Sequence, residues 1–150
     1  MIEDFLNIPI ENVGYHLRKN DDTYLVDEEV DIFDIKAKYT LIESIGNLVS
    51  EIKIVFEKDK QELLFENLVK QYGNPTHYYD DNSFLERELG GNFTNWKIKR
   101  MLFVPYGNNK VEKSNNNIWD QSKYIIKLLN FSTIRGFGEE YVYLVYARKK

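Results

Sequence analysis

Between Leu48 and Pro75 the chain spells out a strand, a helix start, an amphipathic helix and a helix stop. Leu48, Ser50, Ile52, Ile54 and Phe56 take every second position and are apolar but for the serine. Glu51, Lys53 and Glu57 alternate with them, joined by Val55. Successive strand side chains point to opposite faces, so this spacing predicts a half-buried strand. Asp59 stands where an N-cap belongs, with Glu62 three residues on, which is capping-box spacing. Leu64, Phe65, Leu68, Val69 and Tyr72 recur at helical spacing and form one apolar stripe. Gly73 and Pro75 then end the helix, the first by its access to positive φ and the second by its missing N–H. Such a helix needs a sheet under its stripe, because alone in water it is only marginally stable.

Two further hairpin signals flank this unit. Tyr39–Ile45 reaches Leu48–Glu57 through Gly46-Asn47, a two-residue loop that tolerates positive φ. Near the end, Tyr124–Phe131 and Glu140–Ala147 are apolar on both faces, the mark of central strands or of a sheet with both faces covered. Gly136-Phe-Gly138 lies between them and reads as a turn, since a phosphate loop would need a third glycine and a following helix. Elsewhere the pattern is weaker. Ile8, Ile10 and Val13 around Pro9 fit a short edge segment. Gly14–Asn20 reads as loop or frayed strand, and Asn20-Asp21-Asp22 as a turn. Thr23–Ile35 reads as a broken strand or two short ones, and Trp96–Val104 as a strand. Ser83–Leu89 fits a short helix ended by Gly90-Gly91, and Lys110–Asn117 a polar loop.

These elements predict a single α+β domain spanning residues 1–150. An antiparallel sheet of about five to seven strands would carry one main helix, about residues 60–72, on one face. A chain of 150 residues buries a substantial core. Its 11 Tyr and 9 Phe suit a β-rich interior or its rim.

Composition narrows the function. A formal charge of −4 argues against a sequence-independent nucleic-acid binder, even with the basic stretch Trp96-Lys97-Ile98-Lys99-Arg100. With no cysteine there is no disulfide frame, thiolate nucleophile or cysteine-based zinc site. The first residues lack the basic and apolar pattern of a signal peptide, and no apolar run approaches membrane-spanning length, so a cytoplasmic protein is expected. Only His16 and His77 are available as imidazoles. His77 with Asp80 and Asp81 falls short of the three or four converging ligands of a metal site. Glu86 and Glu88 are no evidence for a glycosidase pair, and no nucleophile motif occurs. Neither a catalytic constellation nor a cofactor or metal is expected.

What stands out is acid density. Asp21, Asp22, Asp27, Glu28, Glu29, Asp31 and Asp34 crowd one stretch, without the ordered spacing of a calcium loop. Such a run is either a solvated edge that resists strand-to-strand aggregation or a contact face for a basic partner. The leading expectation is a non-enzymatic protein-binding domain, immunity-protein-like, that neutralises a basic protein. Asp27, Glu28, Glu29 and Asp31 would supply charge, and Tyr78 and Tyr79 would supply aromatic contact. Two alternatives are a small-ligand or enzymatic site in the 76–95 loop and a structural subunit of a larger assembly built on the C-terminal hairpin.

Overall fold

In the computed structural model, which describes residues 2–20, 23–79, 85–90, 93–98, 103–105, 116–130 and 141–149, the strand–helix unit forms as its spacing predicts. Thirteen strands and one α-helix are described. The strands are β1 (Leu17–Asn20), β2 (Thr23–Val26), β3 (Asp31–Ile32), β4 (Ile35–Lys36), β5 (Tyr39–Ile45), β6 (Leu48–Glu57), β7 (His77–Tyr79), β8 (Leu85–Gly90), β9 (Phe93–Ile98), β10 (Phe103–Pro105), β11 (Asn117–Asp120), β12 (Tyr124–Asn130) and β13 (Tyr141–Arg148). The helix α1 (Gln61–Tyr72) follows β6. Nine strands make one antiparallel sheet in the order β1-β2-β5-β6-β13-β12-β11-β7-β10, and β3–β4 and β8–β9 pair separately.

The strand count exceeds the five to seven expected. The additions are short: β1, β7, β10 and β11 have three or four residues each. Runs that short show no periodicity of their own, and their pairing partners define them. Asn117 accordingly opens a strand and is buried, where a polar loop was expected. Leu85–Gly90 is also a strand and not the expected helix, paired from Leu85↔Ile98 to Gly90↔Phe93. Leu85 and Leu89 lie four apart, a spacing that suits one face of a helix and one face of a strand equally, and the pairing with β9 decides it. Gly136-Phe-Gly138, Asp21-Asp22 and Asp80-Asp81 lie outside the described residues.

Register sorts the side chains of the sheet. On the helix face one row runs Tyr24–Ile42–Ile52–Tyr146–Ile126–Trp119, and the next runs Thr40–Ile54–Leu144–Leu128–Asn117. All but Tyr24 are buried. Leu64 and Leu68 of α1, both at 0% exposure, press on these rows, with Phe65, Val69 and Tyr72 at the margin. Burying each leucine contributes about 1.5–3 kcal/mol, which holds the helix to the sheet. The opposite face carries a smaller cluster of Ile118, Leu129 and Val145, flanked by Ile125, Tyr143 and Ala147. The two-sided apolar pattern of β12 and β13 is thereby explained.

The helix ends are tied by side chains. Gly73 takes φ 83° and donates its N–H to the Val69 carbonyl, closing the helix as expected. Trp119 Nε1 donates to the Gly73 carbonyl at 2.9 Å. At the start, the expected Asp59 cap is replaced by a 3-10 turn, Lys58–Lys60, that runs straight into α1, with no side-chain cap bond from Lys60. The Asn130 amide donates to Gln61 Oε1 at 2.5 Å and anchors the first turn to β12 instead.

The N-terminal segment docks on the β5–β6 hairpin. Pro9 bridges Leu48, and backbone bonds join Asn7 N–H to Val49 O, Ile10 N–H to Asn47 O and Val49 N–H to Ile8 O. The edge segment expected over Ile8, Ile10 and Val13 is thus reduced to one bridge at Pro9, and Ile10–Asn12 turns into a 3-10 helix.

One core position is imperfect. Thr40 is 3% exposed and its Oγ1 has no hydrogen-bond partner among the described residues. Valine keeps the shape and removes the stranded hydroxyl. Thr40→Val is expected to raise stability by about 1 kcal/mol, seen as a higher urea midpoint with an unchanged slope. A lower midpoint would mean that the hydroxyl is satisfied in solution.

Candidate functional site

The acidic stretch forms the excursion from β2 to β5. Val30, Ile32 and Ile35 are buried and anchor it from below. Asp27, Glu28, Glu29, Asp31 and Asp34 are all exposed on its surface. Three of them also serve the local structure. Asp27 lies 3.7 Å from the Arg18 guanidinium. Glu28 Oε2 accepts the His16 backbone N–H at 2.5 Å. Glu29 pairs with Lys36 across the small β3–β4 hairpin, and this hydrogen bond holds the Lys36 ammonium above its ordinary pKa. Phe33 and Asp34 form the hairpin turn at φ 52° and 61°, the left-handed pair that a two-residue loop of this hand requires.

Tyr78 and Tyr79 lie far from these acids. Both belong to β7, where Tyr78 pairs with Asn117 and Val104, and Tyr79 with Phe103. Tyr78 is half-buried. From β2 to β7 there are six strand spacings, roughly 29 Å. At about 20° of twist per strand the two ends also face directions some 120° apart. The sheet therefore brings the four acids together and separates the two tyrosines from them. His77, the centre of the 76–95 alternative, is a half-buried strand residue with Nδ1 2.9 Å from Thr76 Oγ1. Its segment is largely strand, β7 and β8, and Asp80 and Asp81 lie outside the described residues. Among the described residues no group of three His, Asp or Glu side chains converges as metal ligands would.

Two other clusters carry chemistry that the sequence did not announce. Glu43 and Glu51 are direct cross-strand partners on the face away from α1. Burial, then the neighbouring Glu43 charge, push the Glu51 carboxyl above its usual range. Lys53 and Lys127 stand close enough to counter part of that effect.

The second cluster lines an open groove of about 960 Å³ at the end of the sheet where the N-terminal 3-10 turn (Ile2–Phe5), the β5–β6 turn, the β11–β12 turn and the end of β13 meet. Glu3, Asp4, Lys123, Arg148 and Lys149 all line it. Tyr72 donates its hydroxyl to Glu3 Oε1 at 3.0 Å. Tyr124 and Tyr146 lie beside Tyr72 and feel the Glu3 charge, so three phenols and one carboxylate cluster beneath the groove. Arg148 Nη1 donates to Asn7 Oδ1 at 2.7 Å, and Lys149 is paired with Asp120. A tyrosine closing a helix stripe (Tyr72) and one inside an apolar strand (Tyr146) each bury a phenol that needs a partner. That need is the sequence signal for the cluster, although its members come from three distant segments.

Comparison with family models, with curated proteins and with solved structures finds no match to this chain. No helix among the described residues is long and apolar enough to cross a membrane.

Proposed function

We propose that this is a non-enzymatic, cytosolic binding protein that engages a basic protein along the Asp27–Asp34 edge, as an immunity protein engages a toxin. The observation that carries the reading is the arrangement of that edge. Five exposed acids meet two local cations, Arg18 and Lys36, which leaves a formal −3 on one short excursion. Its buried anchors and local bonds hold the charges in place before any partner arrives, so little ordering entropy is lost on binding. A fixed patch of one sign steers an oppositely charged protein and speeds association.

The test needs variants that remove charge and leave the fold intact. Asp27, Glu28 and Glu29 are poor choices, because each holds local structure. Asp31→Asn with Asp34→Asn is the better pair, since asparagine tolerates the positive φ at position 34. Affinity purification from the native cell at low and high salt, with the wild type and this double variant, is expected to give one stoichiometric basic protein. That protein should leave the wild type at high salt and associate several-fold more slowly with the variant at low salt, while thermal unfolding is unchanged. A partner held equally by both forms, or no partner at any salt, would sink the proposal.

A further inference from the structure

We infer that the β5–β6 hairpin carries a proton-set register, independent of the acidic edge: its β-bulge stays at Ser50 while Glu43 and Glu51 hold one charge between them, and moves to Glu51 once both are ionised. From Tyr39↔Val55 to Glu43↔Glu51 the two strands pair at one offset, and Ser44↔Val49 and Ile45↔Leu48 pair at another. Ser50 is therefore the extra residue of β6, and its Oγ donates to the Glu43 carbonyl at 3.1 Å. The pair that borders this bulge is the one in which two acids face each other, and like charges directly opposite destabilise a strand pair.

Glu43 is exposed, whereas Glu51 is half-buried and loses hydration when it is charged. Lys53, two residues along β6, and Lys127 of β12 each offset part of that charge. Both lysines stand in the neighbouring row, on either side of Val145. In the row of the pair itself, Thr23 of β2, Ala147 of β13 and Ile125 of β12 are uncharged, and Asp120 of β11 is already paired with Lys149. Moving the bulge by one residue sets Glu43 against Ser50 and leaves Glu51 as the extra residue, with Ile42↔Ile52 and Ser44↔Val49 unchanged. The buried row through Ile42 and Ile52 stays in place, as do Asn47 and Val49, which hold the N-terminal segment. On its other side Glu51 makes the last pair of β6 with β13, so the disturbance there falls at the end of a ladder. The two carboxylates separate while the core keeps its pairing.

The test reads which residue faces Glu43 in the isotope-labelled full chain, from cross-strand backbone NOEs at about pH 4 and about pH 8, on either side of the ordinary glutamate range. In acid Glu43 is expected to face Glu51. In the alkaline sample its contacts with Ser50 are expected to gain about two- to fivefold relative to those with Glu51, which is the worth of one like-charge pair. Glu43→Gln and Glu51→Gln keep the side-chain shape and leave at most one charge in the pair. Each is expected to hold the bulge at Ser50 in both samples. An unchanged contact pattern in the wild type overturns the inference, and so does a pH-dependent change that persists in either variant.

Discussion

Trp119→Ala is expected to cost about 3–5 kcal/mol and Trp119→Phe about 1–3 kcal/mol. Trp119 is fully buried and is the largest such side chain among the described residues. Its ring meets Phe65 of α1 at a centroid distance of 6.0 Å, and its Nε1–H closes on the Gly73 carbonyl that follows the helix. The side chain thus joins the sheet to the helix by packing and to the helix end by a hydrogen bond. Alanine removes both and leaves a cavity under α1. Phenylalanine restores much of the volume but strands a carbonyl that the indole had satisfied. Urea unfolding of the three forms separates the two contributions. A Trp119→Phe protein as stable as the wild type would show that water or a shift of the backbone satisfies Gly73 instead. A loss below 1 kcal/mol in Trp119→Ala would mean that the helix does not depend on this contact.

The reason Trp119 was not singled out in the sequence shows where sequence reading ends for this chain. The helix stripe from Leu64 to Tyr72 was legible because helical periodicity is local, and the Gly73 stop needs no partner to be recognised. The β5–β6 and β12–β13 hairpins were legible for the same reason, each carrying its alternation or its apolar run. Trp119 lies in β11, a four-residue strand bounded by polar residues, and only the order β12-β11-β7 makes it central. The groove was further out of reach. Glu3, Tyr72, Lys123 and Arg148 converge because β6, β13 and β12 are neighbours and the N-terminal segment docks on the β5–β6 turn. The acidic excursion was visible as composition, but composition did not show that three of its acids hold their own backbone and hairpin together.

Above pH 10 the protein is expected to lose stability steeply, because the fold keeps phenols neutral that the unfolded chain would ionise. Burial raises the Tyr72 hydroxyl well above its ordinary pKa, reinforced by Tyr146 and Glu3. Burial does the same to Tyr146 and Tyr124, with the Glu3 charge adding to each. For an acid whose folded pKa is raised, the stabilisation is complete below the unfolded value, near 10. It is then lost as pH climbs toward the folded value. Each phenol held fully neutral removes about 1.4 kcal/mol of stability per pH unit in that window. Tyr146, 1% exposed, contributes close to that amount, while the half-buried Tyr72 and Tyr124 contribute less because solvent screens them. A loss of roughly 2 kcal/mol between pH 10 and 11 follows. Lys36 and Lys38, whose ammonium groups are favoured by Glu29 and Glu57, push in the same direction, so the pH slope alone does not isolate the tyrosines. Tyr146→Phe does isolate one of them. Urea midpoints measured from pH 8 to 11 should fall less steeply in this variant, by about one proton's worth of slope, and tyrosinate absorbance should show the missing phenol titrating only on unfolding. Parallel slopes for the variant and the wild type would mean that Tyr146 ionises in the folded protein, and the phenol cluster beneath the groove would then have to open before the chain unfolds.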